Sequence, residues 1–192
     1  YAGSVGKYVI EELCRIPVEA DLASELRYRN PLVDEHTLLV VVSQSGETAD
    51  TIAAMKECKA RGARVLAIVN VVGSTIAKLA DDVVYTWAGP EIAVATTKGY
   101  TTQVAVMDML AVYLARRLGR LDDAQNKELV DAILQFPSLI QRSIDLNPNL
   151  PALAEKYHSH NDVFFMGRDL GYAASMEGSL KLKEISYIHS ES

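Results

Sequence analysis

Between residues 37 and 86 the chain alternates short apolar runs with helical patterns, and this alternation restricts the fold more than any other feature of the sequence. Thr37 to Val42 (TLLVVV) is a continuous apolar run, the pattern of a strand buried on both faces. A helical segment from Thr48 to Arg61 follows, with Ile52, Met55 and Ala60 near helical spacing and Gly62 as its stop. Arg64 to Val69 (RVLAIV) is a second buried strand, Ser74 caps a short helix over Thr75 to Ala80, and Asp82 to Thr86 (DVVYT) is a third strand. Strand, helix, strand, helix, strand with short connections predicts an α/β fold. Its central parallel sheet is wrapped by right-handed crossovers in a three-layer αβα sandwich.

The flanks read differently. Ser4 to Cys14 is helical, Val18 to Asp21 is a candidate strand, and Leu22 to Leu26 is a short helix. Thr97 to Leu118 is a long helix closed by Gly119, and Asp122 to Leu134 starts another that kinks at Pro137. The most apolar stretch, Val104 to Ala115, contains Asp108 and falls short of the roughly 20 residues of a membrane span, so it reads as a buried helix. Pro137, Pro148 and Pro151 mark a helical bridge, after which Asp162 to Met166 (DVFFM) reads as a buried strand and Tyr172 to Ile188 as a helix. The 192 residues exceed one domain of about 150. The expected division is a first domain over 1–136, a linker over 137–151, and the truncated start of a second domain over 152–192. The chain begins with Tyr1 rather than Met, so further sequence upstream is expected.

Charge and composition exclude several functions. A net charge of −6 argues against a general nucleic-acid binder, and 49% hydrophobic with 23% charged residues is a globular rather than a disordered composition. Arg15, Arg27 and Arg29 form too small a basic group to change this. Cys14 and Cys58 are isolated in helical segments, which fits buried thiols in a reducing compartment, and no leader pattern is present, so a cytoplasmic location is expected. His158 and His160 lack companion ligands and sit before a strand, so no metal is expected, and nothing calls for a cofactor.

The strongest chemical signal is Ser43-Gln44-Ser45-Gly46-Glu47-Thr48, at the carboxyl end of the first strand and opening a helix. Open parallel sheets bind ligands there, and helix amides with the helix dipole favour an anion. Hydroxyl and amide side chains surround a glycine that lets the backbone approach, while GxxxxGK[ST] and GxGxxG are both absent. Neutral donors suit a single phosphate on a small molecule. Simple N-capping by Ser45 or Thr48 accounts for one or two of these residues, not for all of them.

This segment, continued through Ala49-Asp50-Thr51, resembles the phosphosugar loop of sugar isomerase (SIS) domains, and most of all that of the glutamine–fructose-6-phosphate aminotransferase family. Glu91-Ile92-Ala93-Val94-Ala95-Thr96-Thr97-Lys98 with Tyr100-Thr101-Thr102-Gln103 resembles that family's second signature. Glu177 to His189 (EGSLKLKEISYIH) resembles its third, and the likeness runs over the whole chain. The resemblance implies a flavodoxin-like SIS fold and an isomerase-domain fragment of an enzyme that makes glucosamine 6-phosphate from fructose 6-phosphate and glutamine.

Carried over by motif, Ser43, Gln44, Ser45 and Thr48 hold the sugar phosphate and Val94 offers a main-chain contact. Glu184 becomes the base that moves a proton between C1 and C2, and Lys181, three residues earlier on the same helix, lies beside the developing charge. On spacing alone the Lys181–Glu184 pair reads better as an ordinary surface ion pair, and only the resemblance reverses that preference. The implied partners are a sugar phosphate, a glutaminase domain and a second subunit of a homodimer, without nucleic acid or membrane. The family's sugar-binding serine, ring-opening histidine and Schiff-base lysine have no match here, so the chain alone is expected to be weakly active or inactive. The alternative is a non-catalytic phosphosugar-binding SIS module. Glu91, Lys98 and His189 carry no assigned role, and Trp87 is expected to pack after the third strand.

Overall fold

The computed structural model describes residues 1–192. In chain order the elements begin with α1 (Ala2–Cys14), α2 (Ala23–Leu26), β1 (Leu38–Ser43), α3 (Ala49–Ala60) and β2 (Arg64–Val69). Next come α4 (Thr75–Leu79), β3 (Asp82–Tyr85), α5 (Lys98–Arg117), α6 (Asp123–Leu134) and α7 (Phe136–Asp145). The last are α8 (Leu150–Tyr157), β4 (Asp162–Phe164), α9 (Leu170–Ser186) and β5 (His189–Glu191). No helix is long and apolar enough to cross a membrane.

The chain forms two compact units, one built on Val18–Met107 and one on Gly3–Pro17 with Asp108–Ser192. In the first, β1, β2 and β3 make a parallel sheet in that order, with Leu38 opposite Arg64 and Leu66 opposite Asp82. The α/β architecture with a parallel sheet is therefore the one expected. Its core joins Val41, Val65, Ala67 and Val69 of the strands to Met55 of α3 and Ile76 of α4. Only the central strand β2 is buried along most of its length; β1 and β3 are edges, and Leu38 and Val84 are exposed. The run in β1 is thus buried less fully than its composition implies, because one side lacks a neighbouring strand. Gly62 stops α3 at a φ of +98°, a conformation that favours glycine.

Val18–Asp21 is irregular, not a strand: Val18 is half-buried, the next three residues are exposed, and the segment presents no apolar face for a sheet to cover. Trp87 is 76% exposed, touching Tyr85 at a ring-centroid distance of 5.7 Å rather than filling a core.

In the second unit Cys14 of α1 donates to the carbonyl of Ala111 in α5 at 3.5 Å, and burial pushes both this thiol and Cys58 upward. Neither cysteine forms a disulfide. Pro137 and Pro151 both occupy the first turns of helices, α7 and α8, where a missing amide costs nothing. β4 pairs in parallel with β5, but it is short and solvent-facing, with Phe164 at 72% exposure, so the buried strand expected over 162–166 is an exposed three-residue one.

Candidate phosphosugar site

β1 ends at Ser43, and the chain turns through Gly46 at a φ of +67° before entering α3. Two hydroxyls hold the turn: Ser43 Oγ accepts from the Gly46 amide at 3.0 Å and Ser45 Oγ from the Glu47 amide at 3.2 Å. Thr48 is the N-cap of α3, yet its side chain makes no cap bond. The simple capping account of Thr48 is therefore absent, and its hydroxyl and the first amides of α3 face no protein cap. Such a helix start attracts an anion. Ser43, Gln44, Ser45 and Thr48 are thus gathered in one turn. Asp50, in the first turn of α3, is paired with Arg27 at 2.6 Å.

A second turn supports the first. The Asn70 amide donates to Gln44 O at 3.2 Å, and the Ile76 amide to Gly46 O at 3.0 Å. Asn70 is also a hub: its Oδ1 accepts from Thr86 Oγ1 and the Ala88 amide, and its Nδ2 donates to Gly89 O. This residue escaped the reading of the sequence, although an Asn at a strand end is a recurrent turn former.

The segment of the second signature follows. Glu91 turns inward and accepts from the amides of Thr97 at 3.4 Å and Gly99 at 3.2 Å, capping α5. A Cβ on Gly99 would lie 3.4 Å from Gln44 Cγ and 2.7 Å from Thr96 Cγ2, so the glycine admits close packing beside the loop. Val94 projects from the same segment with its side chain 96% exposed.

In the other unit α9 carries the third signature. Lys181 Nζ contacts Glu184 Oε2 at 2.5 Å and Glu177 Oε1 at 3.4 Å, so one lysine is bracketed by two carboxylates a turn to either side. Burial works against its charge, but the bond to Glu184 and the charge of Glu177 outweigh that, and Lys181 titrates above the usual lysine value. Glu177 is buried to 9% exposure, and its part in this cluster was not anticipated. His189 joins Asp162 at 3.0 Å across the β4–β5 pair and Glu191 at 3.3 Å on its own strand, a structural use. Arg15 and Arg29 are likewise taken up by ion pairs, with Glu12 and with Glu19 and Asp21.

Comparison with known proteins places the chain in a family. Over 191 residues the chain is 56% identical to a glutamine–fructose-6-phosphate aminotransferase (isomerizing) of Clostridium tetani and 58% identical to that of Symbiobacterium thermophilum. Each match covers 100% of this chain and 31% of the relative, so the chain spans about a third of the length of these curated relatives. Among solved structures, the C-terminal domain of glucosamine-fructose-6-phosphate aminotransferase from Francisella tularensis superposes with a TM-score of 0.96. It is 36% identical, and the match covers 99% of this chain and 54% of that one. The SIS domain itself matches residues 1–113, which include the whole parallel sheet, the Ser43–Thr48 turn and the Glu91–Lys98 segment, and the chain belongs to the SIS domain family.

Proposed function

We propose that this chain is the isomerase part of an enzyme that makes glucosamine 6-phosphate from fructose 6-phosphate and glutamine. The observation that carries the proposal is the Ser43–Thr48 turn, which sets hydroxyl and amide donors beside an uncapped helix start. Ser43, Gln44, Ser45 and Thr48 bind the phosphate through neutral donors and the α3 amides. The main chain at Val94 completes the sugar contacts. Glu184 takes a proton from C1 and returns it to C2 through an enediol or enolamine, and Lys181 steadies the oxygen charge that develops meanwhile.

The same reading divides the chain into a first SIS domain over 1–136, a bridge over 137–151 and the start of a second over 152–192. It assigns as partners a sugar phosphate, a glutaminase domain and a second subunit of a homodimer, in the cytoplasm. The names of the aligned aminotransferases support it.

Calorimetry tests the proposal. Fructose 6-phosphate is expected to bind and fructose is not; Ser45→Ala weakens the phosphosugar about tenfold, the scale of a lost hydrogen bond to a charged group. Glu184→Gln leaves that binding in place, because the base acts after the phosphate is seated. Equal binding of fructose with and without phosphate overturns the assignment of the loop.

A further inference from the structure

We infer that Glu47 is the positioning residue of the phosphate loop, acting by docking its carboxylate on the first turn of α4; this rests on the phosphosugar reading of the same loop. Glu47 Oε1 accepts from the Thr75 amide at 2.8 Å. With the Ile76 amide on Gly46 O and the Asn70 amide on Gln44 O, three of the loop residues, Gln44, Gly46 and Glu47, are fastened to Asn70 and the start of α4.

The hydrogen bonding around Ser74 shows that α4 begins on the loop and not on its own cap. Ser74 occupies the N-cap position of α4, where a serine hydroxyl ordinarily accepts from the amides of the first turn. Here it makes no such bond: Gly46 O takes the Ile76 amide, and Glu47 takes the Thr75 amide just before it. Its hydroxyl, in a residue 3% exposed, is left without a partner. An orphaned buried hydroxyl costs stability, so the first turn of α4 is held by the loop and not by its own cap residue. The displaced hydroxyl lies against Gly46, 2.2 Å from where a Cβ there would stand, which pins the turn from behind.

The docking also has an electrostatic effect. Glu47 is the only charged side chain among Ser43–Thr48, and a carboxylate loose beside a phosphate would repel it. Bound to the Thr75 amide with Lys78 nearby, its charge is committed to α4. The loop is left with neutral donors for an anion.

The test uses the 192-residue chain, its Glu47→Ala, Glu47→Gln and Thr75→Pro variants, calorimetry with fructose 6-phosphate, and amide exchange without ligand. Proline is tolerated in the first position of a helix, so Thr75→Pro removes the donor amide from the far side of the contact without breaking α4. Glu47→Ala and Thr75→Pro are each expected to speed exchange at Gly46–Thr48 and to weaken the phosphosugar about tenfold, and the double variant no further than either alone. Glu47→Gln, whose amide oxygen still accepts from Thr75, restores most of both signals. Unchanged exchange and affinity in Glu47→Ala overturn the inference, as does tighter binding in both Glu47 variants, which would leave only charge repulsion. If Ser45→Ala loses binding while Glu47→Ala keeps it, the phosphate reading stands and this inference falls. A parent chain that does not distinguish fructose 6-phosphate from fructose ends the phosphate reading, and exchange at Gly46–Thr48 still decides the docking.

Discussion

Gly46 concentrates the physics of the site in one residue. Its φ of +67° is strained for any side chain, and a Cβ there would lie 2.2 Å from Ser74 Oγ and 2.6 Å from Ser74 Cβ. Neither neighbour can give way easily, since Ser74 is buried at the start of α4. Gly46→Ala is therefore expected to destabilise the chain by about 1–3 kcal/mol, the range for a residue forced into a disfavoured backbone region. Urea denaturation reads this directly. Adding Ser74→Gly should recover the part due to the clash and leave the part due to the backbone. A Gly46→Ala chain as stable as the parent would mean that the turn relaxes freely, contrary to the three bonds that fasten it. Lys181 illustrates the opposite case, a residue defined by its partners: Glu177 and Glu184 hold its charge in place against burial.

At the scale of elements, helix starts explain much of what holds. α6 begins with a full capping box, in which Asp122 accepts from the Gln125 amide at 2.8 Å and Gln125 Oε1 accepts from the Asp122 amide at 3.0 Å. No residue of α6 is buried, so this box rather than packing anchors its first turn. Asp122→Ala is expected to cost about 1 kcal/mol of local helix stability, seen as faster amide exchange across α6 with little change at β2. The parallel β1–β3 sheet was readable in advance because TLLVVV, RVLAIV and DVVYT are contiguous patterns set by local composition. The β4–β5 pair was not, because His189-Ser190-Glu191 is polar and becomes a strand only by pairing with a partner far away in the chain. The site divides in the same manner. Ser43 to Thr48 is contiguous and stood out, whereas Asn70, Ser74 and Thr75 act on it from a separate turn. Their residue types are ordinary for a turn and a helix start. Glu91 was noted without a role because its use, capping α5 across an intervening loop, depends on a return of the chain that no local spacing encodes.

For the molecule as a whole, the titration of its carboxylates sets the pH at which it is most stable. Several are held below their ordinary range: Glu47 by the Thr75 hydroxyl and amide, Asp81 by Lys59 and the Val65 amide, Asp82 by Arg64. Each favours the folded state above the unfolded carboxyl pKa of about 4, and that contribution disappears as the pH falls through the lowered value. Asp108, partly buried within α5, works in the other direction, since burial pushes its carboxyl up to about 6. Its neutral form fits the fold, so its contribution is fully present below about 4 and is lost as the pH rises through 6. Stability is therefore expected to peak on the acid side of neutrality, between the two sets of transitions. Asp108→Asn keeps the volume and removes the ionisation. It should raise the melting temperature at pH 7, match the parent near pH 4, and move the maximum toward neutrality. Thermal melts from pH 3.5 to 8 check this. An offset between the two chains that stays constant across the range would assign the effect to packing rather than to charge.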